Sequence, residues 1–138
     1  MQQFFKSIKN EDWFKNTLFV ITADHTSPVN YNNTYKNRIG RYAIPLLYFK
    51  GDGSIVGENN SVVQQIDIMP TILEEVAYTK PYLAFGKSLF SGESWAISKL
   101  YSNYRFITDQ GIINNKREEY PTFIHWNLKE ISNTEKSN

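Results

Sequence analysis

The chain has 138 residues, with 15 Lys and Arg against 14 Asp and Glu, so its net charge is +1 at pH 7. That balance supplies no general electrostatic reason to bind nucleic acid or a membrane surface, while 41% hydrophobic and 15% aromatic residues exclude global disorder and suit one domain or a piece of a larger one. Cysteine is absent, which excludes disulfides, thiol catalysis and cysteine-ligated zinc, and no apolar run approaches the ~20 residues that span a bilayer.

The first residues lack the basic-then-apolar pattern of a signal peptide. They read as the middle of a helix, which carries the expectation that the natural protein begins further upstream. Phe4, Phe5 and Ile8 share one helical face through about residue 12. Trp13 and Phe14 lead into an apolar, β-branched strand over 17–23, expected to be of parallel type. Residues 26–41 form a polar loop with Pro28 and Gly40 as breakers, carrying Tyr31, Tyr35, Lys36, Arg38 and Arg41. A second strand follows over 42–49. Pro45 has no ladder donor, so this strand should lie at an edge or start after the proline.

Gly51 to Ser54 and Gly57 to Asn60 carry turn chemistry. Short Asn-x-Ser/Thr patterns at Asn32 and Asn59 arise readily by chance. The clearest helix is 67–77, with Asp67 suited to the N-cap and Pro70 in the first turn. Met69, Ile72, Leu73 and Val76 make its apolar stripe, and Glu74 and Glu75 its wet side. After a loop with Pro81 and Gly86, alternating segments at 95–101 and 104–108 flank a turn at Ser102 and Asn103. Gln110 and Gly111 turn the chain again before Ile112 and Ile113, giving a small antiparallel meander with aromatic packing. Residues 129–138 read as a polar, frayed tail.

The chemistry concentrates at Asp24 and His25, where the first strand stops. At a strand end the backbone turns, and neighbouring side chains can reach one ion. A carboxylate oxygen with a neutral imidazole nitrogen suits Zn²⁺ or Mn²⁺ better than Ca²⁺, which prefers oxygen alone. Spacing leaves a second reading open: Asp24 caps the loop and His25 packs locally. His125, beside Trp126, reads as a locally satisfied histidine, and Thr22 and Thr26 read as strand and loop structure. Lys36, Arg38 and Arg41 fit either the anionic groups of a substrate or a solvated loop face.

Four stretches in order, "WFKNTLFVITADHT", "YAIPLLYF", "QQIDIMPTILEEVAY" and "PYLAFGKSLF", resemble the C-terminal part of the sulfatase-like branch of the alkaline phosphatase superfamily. The similarity runs over about residues 1–110 and is nearest to lipoteichoic acid synthase-like and phosphoglycerol transferase-type membrane proteins. It implies an α/β fold: the C-terminal portion of an alkaline phosphatase/sulfatase-like sheet with flanking helices over 1–92, then a small antiparallel β subdomain over 93–128, with 129–138 as tail. It implies a parent anchored in the membrane by an upstream region, with an extracytoplasmic domain acting on an anionic phosphodiester or sulfate ester. It also implies that Asp24 and His25 ligate a divalent metal.

Sulfatases proper carry Asp-Asn at this place. His25 therefore turns the expectation from Ca²⁺ toward Mn²⁺ or Zn²⁺ and from sulfate toward phosphoryl chemistry. The family's nucleophile, a threonine in synthase-like members, lies far upstream of the pair, and no match to it precedes the strand. The resemblance thus implies half a metal site, no catalytic nucleophile in this chain and no activity of the chain alone. A sulfatase parent, marked by an upstream Cys/Ser-x-Pro-x-Arg motif, and a non-catalytic interaction module are the alternatives. Missing central strands carry the further expectation that this piece relies on self-association or on an exposed edge for its stability.

Overall fold

Aromatic rings organise the first of two compact units, Met1–Glu58 and Asn59–Asn138, in the computed structural model, which describes residues 1–27, 35, 40–116, 120–125 and 130–131. Helix α1 (Gln2–Ile8) sets Phe5 against strands β1 (Leu18–Thr22) and β2 (Leu46–Lys50). Phe5 meets Phe19 at 5.3 Å and Phe49 at 5.6 Å between ring centres, and Phe19 and Phe49 face each other at 5.8 Å. Phe14, buried in a 3-10 turn, closes the cluster at 5.6 Å from Phe19. These edge and tilted geometries suit aromatic quadrupoles. Gly51 lies so close to the Phe14 carbonyl that any Cβ there would collide with it.

Strands β1 and β2 pair antiparallel, with Phe19 opposite Phe49 and Thr22 opposite Leu46. The expectation of a parallel-type strand is corrected here. A parallel partner needs a crossover, usually a helix, and the polar residues between the two strands carry no helical periodicity to build one. β2 does start directly after Pro45, as the missing N–H requires. The Thr22 hydroxyl donates to the Pro45 carbonyl at 2.9 Å and ties the open end of the pair.

In the second unit a 3-10 turn over Gln65–Asp67 runs into helix α2 (Ile68–Glu75). The Gln64 side chain accepts from the Asp67 N–H while the Asp67 carboxylate accepts from the Gln64 N–H at 3.0 Å, a reciprocal cap. The buried face of α2 differs from the expected stripe. Pro70 and Thr71 are buried, whereas Met69 and Val76 are exposed. Thr71 tolerates burial because its hydroxyl donates to the Asp67 carbonyl at 2.6 Å and accepts from the Leu89 N–H at 2.9 Å.

The sheet of this unit has five strands in sequence order: β3 (Trp95–Leu100), β4 (Asn103–Thr108), β5 (Gly111–Lys116), β6 (Thr122–His125) and β7 (Glu130–Ile131). Each pairs antiparallel with the next. The meander expected from 95–113 is present and extends further. β7 falls inside the stretch read as a tail, because two residues carry no periodic signal. Ala96, Ile112 and Ile124 are buried. On the opposite face Ile97, Phe106, Ile113 and Phe123 stand side by side across four strands. Trp95 stacks on Phe106 at 6.1 Å. Among the described residues no helix is long and apolar enough to cross a membrane.

Candidate metal centre at the end of the first strand

β1 carries the apolar run Leu18 to Ile21 at half-buried positions, and its last residue, Thr22, spends its hydroxyl on Pro45. Beyond Ala23 the chain turns outward. The side chains of Asp24 and His25 are 87% and 72% exposed, so an ion or substrate can reach both directly. The half-buried apolar ladder is thus followed by two solvent-facing side chains, a carboxylate and an imidazole.

The local hydrogen bonds orient the pair. Asp24 Oδ1 accepts from the His25 N–H at 2.9 Å, which fixes the carboxylate against the turn. His25 Nδ1 lies 2.8 Å from the Thr26 carbonyl oxygen. A carbonyl only accepts, so Nδ1 carries a proton, and in the neutral ring Nε2 then keeps its lone pair. That second-partner arrangement is the one metal-binding histidines use to set their tautomer.

Nε2 stands 3.5 Å from Asp24 Oδ2. Two ligand atoms on a tetrahedral ion, with bonds of about 2.1 Å, lie roughly 3.4 Å apart. That separation matches two donors on one ion and equally a direct contact between the imidazole and the carboxylate. Among the described residues no cluster of three or more His, Asp or Glu side chains forms. Two positions are what this part of the chain offers.

The other residues named from the sequence divide cleanly. Lys36 and Arg38 lie outside the described residues. Arg41 falls in the 3-10 turn Gly40–Tyr42, with its side chain outside the described part. His125 sits on β6 opposite Gly111, its side chain likewise outside it. Asp67 holds the N-cap position of α2, yet its side chain makes no bond to that helix. Its carboxylate accepts instead from Gln64 N–H, Lys87 N–H at 2.9 Å and Lys87 Nζ at 2.9 Å. Lys87 is the residue that reasoning from the sequence missed. A lysine in a Gly- and Pro-containing loop carries no mark distinguishing it from a solvated charge.

An apolar groove of about 430 Å³ runs beside α1, lined by Met1, Phe5, Phe14, Ile21, Leu47 and Phe49. Gln2, Lys6 and Lys9 also border it, but its lining surface is almost wholly apolar, and small-molecule sites need a few convergent polar groups.

The fold is that of the alkaline phosphatase superfamily. A solved protein of that superfamily from Vibrio parahaemolyticus superposes with a TM-score of 0.74 at 18% identity, covering 94% of this chain and 33% of that one. A family model described as Sulfatase matches residues 1–76, and the chain belongs to the sulfatase family. Lipoteichoic acid synthase of Staphylococcus aureus strain USA300 is 30% identical over 129 residues, covering 84% of this chain and 20% of the relative. The same protein from strain NCTC 8325 / PS 47 matches equally. The chain thus spans about a fifth of the length of these curated relatives.

Proposed function

We propose that this chain is the C-terminal part of a metal-dependent phosphotransferase or hydrolase of the phosphoglycerol transferase kind, and that Asp24 and His25 form one half of its metal site. The carrying observation is the strand-end geometry, with His25 Nε2 freed by the Thr26 carbonyl and set 3.5 Å from Asp24 Oδ2. Membership of the sulfatase family and likeness to lipoteichoic acid synthases support the same reading.

Asp24 brings negative charge to the ion, and His25 brings a nitrogen donor. That mixed set favours Mn²⁺ or Zn²⁺ over Ca²⁺. Asp24 and His25 would hold such an ion, which when bound would supply Lewis-acid activation of a phosphoryl oxygen and lower the pKa of an attacking hydroxyl. Lys36, Arg38 and Arg41 follow the site in sequence and are assigned to the anionic groups of the substrate. The nucleophile and the remaining ligands belong to upstream sequence, so the chain alone is inactive. The parent acts outside the cytoplasm, anchored in the membrane by that upstream region.

The test uses the full-length parent, wild type against His25→Ala. Metal content by elemental analysis and phosphodiester turnover should both fall. Unchanged values for both would sink the assignment. The family match also favours a second reading, hydrolysis of a sulfate ester. Upstream sequence separates the two: a Cys/Ser-x-Pro-x-Arg motif marks the sulfatase, a lone threonine the phosphoryl transferase.

A further inference from the structure

Among the described residues the outer edge of β3 is covered by two side chains rather than by another strand. The Ile97 N–H donates to Gln64 Oε1 at 3.1 Å. The Trp95 carbonyl accepts from Lys87 Nζ at 2.7 Å. Both atoms point away from β4. By the alternation of an antiparallel ladder the backbone of Lys99, two residues beyond Ile97, turns the same way.

These are the groups a second β3 would need. Lay another copy antiparallel on this edge with the two-fold axis at Ile97. Ile97 then exchanges both backbone bonds with the partner's Ile97, and the Trp95 carbonyl accepts from the partner's Lys99. Gln64 occupies the first position and Lys87 the second. The side chains fit as well. Ile97, Phe106 and Ile113 are 56%, 39% and 38% exposed and adjacent across the strands. A two-fold axis at Ile97 joins this apolar row to its own copy, which is the self-complementarity an isologous interface requires. Unpaired sheet edges are templates for such pairing, and side-chain cover is a known way of blocking them.

We propose that β3 is a docking edge for a second copy of this chain, held shut by Gln64 and Lys87. Freeing the edge creates a ten-stranded sheet across two copies, from five strands in each. The inference concerns the second unit alone and does not depend on the metal site.

Sedimentation equilibrium of the full 138-residue chain tests it, comparing wild type, Gln64→Ala and the charge-neutral double variant Asp67→Asn/Lys87→Met. The uncapped variants should show a weight-average mass that rises with concentration beyond that of wild type. Adding Ile97→Lys, which sets two like charges on the two-fold axis, should return it to the wild-type value. Folded uncapped variants with wild-type mass overturn the proposal, as does association indifferent to Ile97→Lys. Hydrogen exchange in the wild type tests the cap directly, without relying on any variant to fold. The Ile97 amide should exchange about tenfold or more slowly than that of Lys99, and equal rates would contradict a closed edge.

Discussion

Lys87 Nζ lies 2.9 Å from Asp67 Oδ2, with their side chains only 8% and 2% exposed, and stands 4.6 Å above the centre of the Trp95 ring. The carboxylate also holds two backbone N–H groups, from Gln64 and Lys87. One buried pair therefore joins the lead-in to α2, the loop after it and the start of β3. Removing one partner leaves the other charged and desolvated, which costs on the order of 3–5 kcal/mol. Lys87→Met should lower the urea midpoint of the second unit accordingly. The double variant Asp67→Asn/Lys87→Met should recover a substantial part of the loss. Equal losses in single and double variants would show that the charge is not the cause.

Gly86 packs against backbone, not side chains. A Cβ there would run into the Ile66 carbonyl and the Asp67 N–H. Backbone cannot swing aside as a flexible side chain can, so Gly86→Ala should cost about 1–3 kcal/mol through overpacking. Gly57→Ala makes the contrast, since no atom lies within 4 Å of its Cβ and only its positive φ of 116° resists. Thermal melts should place the Gly86 loss with a shift in the Asp67 network, visible as faster exchange at the Lys87 amide. Gly57→Ala should leave that amide unchanged.

The His25 tautomer can be read without any enzyme assay. With the Thr26 carbonyl beside Nδ1, the ¹⁵N spectrum of the neutral ring should show a protonated Nδ1 and an unprotonated Nε2. Added Zn²⁺ should shift Nε2 in the wild type and do so more weakly in Asp24→Asn. A dominant Nε2–H form would remove the geometric basis for ion binding at this pair.

Asp52 offers a pH test far from that chemistry. The Ser54 hydroxyl, then the Ser54 N–H, with Lys50 adding charge, hold its carboxyl below the usual carboxylate range. A depressed carboxyl contributes stability that is present above its unfolded value and fades as pH falls through the folded one. The group lies in an exposed turn, so the effect belongs to the turn rather than to global stability. Replacing Ser54 with Ala should move the Asp52 midpoint upward in an NMR titration. No movement would mean that the turn does not hold the carboxylate in solution.

The strands were legible for different reasons. Leu18 to Thr22 announces itself by β-branched and apolar side chains, and the start of β2 follows from the N–H that Pro45 lacks. Pairing direction was not legible, because a strand's own residues say nothing about which partner it meets. The position of α2 follows from Asp67 and Pro70, but its buried face does not. Thr71 reads as polar, and only the bonds to Asp67 and Leu89 explain its burial. At the candidate site the ligand types stand plainly in Asp24 and His25. The group that selects Nε2 is a main-chain carbonyl, which every residue possesses and no pattern can flag.

The sheet β3 to β7 keeps its strands in the same order in space as in the chain. Each pairing closes a short loop, so little chain entropy is lost per strand added. The hairpin of β3 and β4 can form first, with Ile97 against Phe106. Ile113 and then Phe123 follow, each laid beside a side chain already in place. Such local topology favours rapid folding. The second unit should therefore assemble strand by strand, each step drawing on a neighbour close in the chain.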